Sequence, residues 1–382
     1  MHKIIQISNR LINPVVSGID SEYYEKSWQS LSGFGYIRPE HFWELPQWAT
    51  RVSAILKASK KQSEFVVVDK PVRFQTGSVV YASVLDANKK HIQNLINLNP
   101  DCRFVLGGYT KKGLHGNFTF YDSLRDMVES EAMEWTEDYD YSIFNGESCI
   151  PRLTMSTGCS HHCKFCSIEK TIVEVSAAEI YQQVDQFLNN LSFKLIYIND
   201  KTFGQASNHE MLEDLYGIVK DRNPQFIGFI VQTTAKYAMK LDFTRLGVAV
   251  CEIGIESYND DILKSLRKPH NTKMIDKAVT NIRNHGIRFL PNIVIGLVGE
   301  TKETYKRTIE FLKQDILMAN VYNLAIYEGT ELEGEVNASE KDSNEMEIEK
   351  SFYSEEQNRL NKWANDRIFN LLIKSYEKSY SY

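Results

Sequence analysis

The chain has 382 residues, a length that fits two domains or one large one with a substantial core. Apolar residues make up 42% and charged residues 25%, which excludes a disordered, fibrous or small disulfide-bonded chain, and 44 basic against 50 acidic residues give a net charge of −6 with no global pull toward nucleic acid. No apolar run approaches the roughly 18 residues of a membrane span. The opening MHKIIQISNRLINP is interrupted by Asn9, Arg10, Asn13 and Pro14 where a signal peptide needs a longer apolar stretch, so the expectation is a cytoplasmic protein.

From residue 65 the chain reads FVVVD, then SVVYASVLDA, then a helical pattern with Ile92, Leu95 and Ile96 on one face, then RFVLGGY. Short apolar strands alternating with helices predict a small parallel α/β sheet, a Rossmann-like domain over residues 1–145. Gly107-Gly108 would form a tight turn at a strand's C-terminal edge, where open sheets place ligands, though as a nucleotide signal the pair is weak. Residues 129–145, acidic and aromatic with no clean period, read as a linker.

The alternation then becomes regular. Strand-like LTMST at 153–157 precedes a loop, and Ser176 with Glu179 makes a capping box for a helix carrying Ile180, Val184, Phe187, Leu188 and Leu191 on one face. Next come KLIYIND at 194–200, a helix around 208–222, QFIGFIVQT at 225–233, a short helix near 241–246, VAVCEIGIES at 248–257 and a helix at 271–285. IRFLPNIVIG at 287–296, a helix at 302–314 and ANVYNLAIY at 319–327 complete six strands. Six parallel units are too few for a closed eight-stranded barrel, so residues 150–332 are expected to form a partial β/α barrel. Residues 333–382 are read as the rest of an acidic loop that begins near Glu328, then a C-terminal helix with Leu360, Trp363, Ile368, Leu371 and Leu372 turned to the body.

Six cysteines stand at Cys102, Cys149, Cys159, Cys163, Cys166 and Cys251, half of them within eight residues. In a reducing compartment such a cluster more often binds metal than forms disulfides. The run GCSHHCKFCSIEK offers three closely spaced thiolates after a strand, which can bind three irons of a 4Fe-4S cluster and leave the fourth open. A zinc site completed by His161, His162 or a distant cysteine is the alternative, as are three unrelated thiols.

This Cys-x3-Cys-x2-Cys run, with aromatic Phe165 just before the third cysteine, resembles the signature of the radical SAM superfamily. The resemblance spans about half the chain and implies that S-adenosylmethionine (SAM) chelates the open iron, that reduction cleaves its S–C5′ bond, and that the resulting 5′-deoxyadenosyl radical removes hydrogen from a substrate. It implies an electron donor such as flavodoxin or ferredoxin. By the same resemblance Asn199 and Asp200 would hold the methionine amino group, with a helix cap or loop salt bridge as the alternative for Asp200. Gln232 belongs to the same SAM-facing set, and Glu256, in Gly254-Ile255-Glu256-Ser257, would hold the ribose hydroxyls. Backbone at Ile295 and Gly296 would lie against adenine, in a turn where Val298 replaces the family's usual proline. Glu300-Thr301 can also be read as simply starting the next helix, and Tyr327-Glu328-Gly329-Thr330 echoes the family's sixth-strand end.

An α/β domain ahead of such a barrel resembles the branch with an N-terminal cobalamin-binding-like domain. The Asp-x-His-x-x-Gly signature of that cofactor is missing: His41, His91 and His115 are not followed three residues later by Gly. A methylthiotransferase would carry a second cysteine trio, and residues 1–148 hold only Cys102. Cys149 and Cys251 are open to auxiliary ligation, against the commoner fate of isolated buried cysteines. Two further readings stand as alternatives: a tRNA-modifying enzyme, which would usually carry a basic appendage, and a noncatalytic iron-sulfur or zinc module.

Overall fold

A computed structural model of the chain describes residues 1–8, 11, 22–23, 45–144, 149–314, 318–326, 330–335 and 353–379. It divides into two compact units. The first takes most of the chain up to Arg152 together with Gln182–Phe193, and the second takes Leu153–Tyr181 and everything from Lys194 on.

The first unit is a five-stranded parallel sheet. It comprises β1 (His2–Ile7), α1 (Gln47–Ala58), β2 (Ser63–Val68), β3 (Val79–Val84), α2 (Asp86–Leu98), β4 (Arg103–Gly108), β5 (Phe118–Phe120) and α3 (Leu124–Ser130), with sheet order β2-β1-β3-β4-β5. This doubly wound order puts a switch point between β1 and β3, and its core gathers Ile5, Ile7, Val80, Val84, Ile92, Ile96, Phe104 and Leu106. Gly108 stands at φ +115°, and a Cβ there would meet the Val84 carbonyl oxygen at 2.3 Å, so only glycine lets β4 end this close to β3.

Residues 129–145 are not the linker their composition suggests. Beyond α3 the segment docks on α1: Arg51, buried, donates to the carbonyls of Thr136 and Asp138, and its guanidinium stacks over Trp135 and Tyr139. A single-turn helix at Tyr141–Phe144 then buries Tyr141 and Phe144. These are tertiary bonds to a distant helix, and local period carries no trace of them.

The second unit holds the partial barrel. From here the chain runs β6 (Arg152–Leu153), β7 (Ser156–Thr157), β8 (Val173–Glu174), α4 (Ala177–Asn190), whose residues from Gln182 on cluster with the first unit, β9 (Leu195–Ile198), α5 (Leu212–Arg222), β10 (Gly228–Thr233), α6 (Ala235–Ala238), β11 (Val248–Glu256), α7 (Asp260–Ser265), α8 (Thr272–Asn284), β12 (Arg288–Ile295), α9 (Lys302–Leu312), β13 (Asn320–Asn323), α10 (Glu331–Glu335) and α11 (Glu355–Ser379). Six strands lie in the order β13-β12-β11-β10-β9-β6, and β9 through β13 pair in parallel. Open at β6 and β13, the sheet is the expected partial six-unit barrel, and α11 is the helical extension.

Local differences are small. LTMST splits, because β7 leaves the barrel to pair antiparallel with β8. The short helix expected near 241–246 is a run of turns, and the helix between β10 and β11 is α6, seven residues earlier. Tyr327, Glu328 and Gly329 and the acidic stretch 336–352 lie outside the described residues, as do His41 and the junction 145–148. Among the described residues no helix is long and apolar enough to cross a membrane.

Candidate functional site

The cysteine loop is anchored where β6 ends. The Met155 and Ser156 amides each donate to Asp200 Oδ1 at 2.9 Å, and Ser156 Oγ donates to Oδ2 at 2.6 Å. Asp200 follows β9 and is 2% exposed, and burial pushes its carboxyl up against the pull of these three bonds. Its neighbour Asn199 donates its amide to the Leu153 carbonyl at 2.8 Å and its side-chain nitrogen to Thr154 Oγ1 at 3.3 Å. Asp200, read from the sequence as a holder of an amino group, is therefore committed to stitching β9 to the start of the loop.

Gly158 begins the loop at φ +81°, and a Cβ there would fall 1.9 Å from the Thr171 carbonyl oxygen. The Cys159 amide donates to the Glu169 carbonyl at 2.8 Å, and Cys159 Sγ lies 3.3 Å from Thr202 Oγ1. Gln205 clasps both sides, accepting from the Ser160 amide at 3.1 Å and donating to the Gly158 carbonyl at 3.1 Å. Further on, Cys163 Sγ faces the Arg267 carbonyl at 3.8 Å, and Lys164 donates its amide to Leu266 at 3.1 Å. Phe165 packs on Ile262, Leu266, Leu297, Leu324 and Leu332, which gives the aromatic before the third cysteine its physical role as the loop's apolar foot.

All three thiols are free; Cys163 and Cys166 are half-buried, and burial pushes the Cys163 thiol up against the opposing charge of Lys268. No three His, Cys, Asp or Glu side chains among the described residues converge as ligands of one metal ion. An iron-sulfur cluster makes no such demand, since each thiolate binds a separate iron and the ligands ring the cluster. Three thiols in one loop and a half-buried face fit that group.

Across the sheet, Glu256 closes β11. The register slips between Gly254 and Glu256, so Ile255 is an extra residue, and Glu256 takes φ +62°, a left-handed conformation costly for a side chain of its size. The bulge turns its carboxylate onto Lys268, with Oε1 2.8 Å from Nζ. Gly254 makes room, because a Cβ there would lie 2.6 Å from that Oε1. Burial works against charge on Lys268, but the Glu256 carboxylate and the nearby Cys163 sulfur raise its pKa. Lys268 Nζ also stands 5.8 Å from the Phe165 ring. Sequence reading missed this lysine; its only signal is its place in the turn Arg267-Lys268-Pro269-His270, twelve residues beyond Glu256.

The remaining expected residues fall on both sides. Gln232, the next-to-last residue of β10, lies level with Glu252, half-buried, and its carbonyl accepts the Phe203 amide at 2.8 Å, so the turn after β9 is held to β10. The Ile295 carbonyl is taken by the Leu324 amide, the Gly296 amide donates to Tyr305 Oη at 2.9 Å, and the Gly296 carbonyl accepts from Tyr353 Oη at 2.5 Å. A ligand here meets this stretch through its apolar surface, with its donors and acceptors already engaged. Thr301 caps α9 by accepting from the Thr304 amide, and Glu300 accepts from Thr304 Oγ1, so this pair does start the next helix.

Residues 153–312 match the family model described as the radical SAM superfamily. The chain is 21% identical over 222 residues to the ribosomal protein uS12 methylthiotransferase RimO of Natranaerobius thermophilus, covering 53% of this chain and 47% of that protein. The chain thus spans about half the length of the curated relatives it matches. Among solved structures it resembles the radical S-adenosylmethionine methyltransferase TsrM from Kitasatospora setae, with cobalamin and [4Fe-4S] cluster bound, at TM-score 0.54 and 10% identity over 88% of this chain and 77% of that one. It also resembles the cobalamin-dependent S-adenosylmethionine radical enzyme OxsB at TM-score 0.55 and 14% identity, covering 94% of this chain and 56% of that chain. At such identities the likeness is one of fold.

Proposed function

We propose, from the match of residues 153–312 to the radical SAM family model, that this chain is an enzyme that holds a 4Fe-4S cluster on Cys159, Cys163 and Cys166 and binds SAM at the fourth iron. When bound and reduced, that cluster supplies the electron that breaks the SAM S–C5′ bond, giving methionine and a 5′-deoxyadenosyl radical that takes a hydrogen atom from the substrate. The observation that carries this reading is one loop with three free thiols, seated beside the buried Glu256–Lys268 pair.

The chain's own residues would divide the work. Asp200 positions the loop through the Met155 and Ser156 amides, and Phe165 fixes its far end in apolar packing. Asn199 and Gln232 flank the turn that faces Cys159, and offer amide groups to the methionine end of SAM. Glu256, held by Lys268, meets the ribose hydroxyls through its second oxygen, since a charged acceptor makes stronger hydrogen bonds than a neutral one. Ile295 and Gly296 supply an apolar edge for adenine. Electrons would come from a flavodoxin or ferredoxin, and the substrate and net reaction stay open. Anaerobic reconstitution should give about four irons per chain with broad visible absorption, and Cys163→Ala should abolish it; native protein holding zinc and no iron would overturn the assignment.

A second reading concerns the first unit. Its doubly wound order places a switch point at the C-terminal ends of β1 and β3, and Tyr109, just beyond the neighbouring β4, is 89% exposed. We infer that this edge would hold a cobalamin, without the help of an Asp-x-His-x-x-Gly motif, which the sequence lacks. Hydroxocobalamin retained through gel filtration supports this; no retention leaves the unit a substrate-binding or structural role.

A further inference from the structure

The C-terminal helix reaches the turn between β12 and α9, which the proposed function sets against adenine. α11 docks through Ala364, Ile368, Phe369 and Leu372, all buried. Ser354 caps it by accepting the Gln357 amide at 3.1 Å, and Asn358 Nδ2 donates to the Tyr353 carbonyl at 3.3 Å, so Tyr353 is fixed just ahead of the first helical turn. From there its hydroxyl donates to the Gly296 carbonyl at 2.5 Å.

A chain of bonds closes on the other side of the same glycine. The Gly296 amide donates to Tyr305 Oη at 2.9 Å, Tyr305 donates in turn to Asn361 Oδ1 at 2.9 Å, and Gln357 Nε2 donates to that same oxygen at 2.9 Å. Tyr305, on α9, is buried, and burial pushes its hydroxyl up, so it stays protonated and able to donate. Gly296 stands at φ +90°, and a Cβ there would fall 2.5 Å from Tyr353 Oη and 3.3 Å from Asn361 Nδ2. The glycine is therefore what lets the helix close on the turn. One residue on, buried Leu297 joins the cluster that seats Phe165, the apolar foot of the cysteine loop, whereas Val298 at the tip is exposed. Connecting turns of this kind are ordinarily among the looser parts of a fold; here the helix holds Gly296 by both of its backbone polar groups, one directly and one through Tyr305.

We propose that α11 is a clamp on the β12–α9 turn, with Tyr353 and Asn361 as positioning residues that hold Ile295 and Gly296 in shape for the adenosine half of SAM. The adenosine role rests on the proposed function; the clamp does not. Tyr353 acts through the Gly296 carbonyl and Asn361 through Tyr305, and neither has to touch the ligand. Order already present in the turn does not have to be supplied by the ligand on binding, so the clamp raises affinity without adding a contact.

The test uses the anaerobic, clustered full-length protein and two substitutions: Tyr353→Phe, which deletes one hydroxyl, and Asn361→Leu, which keeps the side chain's size and removes the acceptor for Tyr305 and Gln357. Amide hydrogen exchange at residues 295–300 should quicken several-fold in the first and about tenfold or more in the second, with protection in β11 and iron content as in the wild type. Affinities for SAM and for 5′-deoxyadenosine should fall together, by about three- to tenfold, while methionine binds as before. A helix that merely stabilised the fold would alter all three ligands or none. Unchanged exchange at 295–300 in both variants overturns the clamp. Faster exchange with unaltered affinity for SAM and 5′-deoxyadenosine, or with methionine weakened equally, overturns the positioning role. Wild-type protein that binds neither SAM nor 5′-deoxyadenosine sinks the proposed function and the adenosine role with it, and the exchange rates then decide the clamp by themselves.

Discussion

Lys268 Nζ lies 2.8 Å from Glu256 Oε1, and neither side chain is more than 10% exposed. An ion pair so deeply removed from water is costly to form and more costly to break, because losing one partner strands the other charge. Glu256→Gln or Lys268→Met alone should lower stability by about 3–5 kcal/mol, and the double substitution should recover most of that loss. Urea unfolding of the three variants checks it; single variants within about 0.5 kcal/mol of wild type would show that the pair is not buried in solution.

Gly158 separates loop geometry from ordinary glycine flexibility. Gly158→Ala drives a Cβ to 1.9 Å from the Thr171 carbonyl oxygen, which should cost about 3 kcal/mol and displace Cys159, so that iron content falls while far-UV circular dichroism is kept. Gly217→Ala, on the exposed face of α5 with nothing near its Cβ, should instead stabilise by about 1 kcal/mol. Equal effects at the two positions would contradict the loop structure.

Asp200→Asn keeps the shape but offers only one acceptor oxygen to three donors. One of those donors, Ser156 Oγ, would then face an amide nitrogen or lose its partner. Loss of about 1–3 kcal/mol is expected, together with a fall in iron loading, since the bonds hold the base of the cysteine loop. Full iron loading with impaired SAM binding alone would return Asp200 to the ligand-holding role its sequence position suggests.

His270 sets a pH dependence. Burial lowers its pKa from 6.5 to about 3, with Lys268 and His161 adding to the effect. The unfolded chain therefore binds a proton below pH 6.5 that the folded chain refuses, so this group's contribution is flat above 6.5 and stability falls as pH drops toward 3. Between pH 6.5 and about 5 the wild type should lose about 1 kcal/mol per pH unit more than His270→Gln, the slope steepening as pH falls. Parallel stability curves for the two proteins would place the imidazole in water.

The strand alternation and the cysteine loop were legible because both are local: period and spacing are written in consecutive residues. β1 escaped notice because its apolar run was weighed only as a leader, and α1 because it buries Thr50, Arg51 and Ser53 alongside its apolar residues, which blurs the helical stripe. Arg51 can be buried only because carbonyls some 85 residues away accept from it. Lys268 and the commitment of Asp200 are of the same kind. The identity of each residue was plain, but its partner is fixed by tertiary packing, so a carboxylate at a strand end could be read equally as a ligand holder or as a stitch. The C-terminal helix was readable as a core-facing stripe, whereas the placement of Tyr353 on the Gly296 carbonyl was not.

Reductive cleavage of SAM at the three-cysteine loop is what the proposed function requires of this chain. The direct measurement is methionine and 5′-deoxyadenosine released by anaerobic, iron-loaded protein given SAM and a strong reductant without substrate. Both products should form in equal amounts, slowly in the wild type and not at all in Cys163→Ala. Protein with its full four irons that releases neither product would contradict it, and would leave the loop a noncatalytic iron-sulfur site.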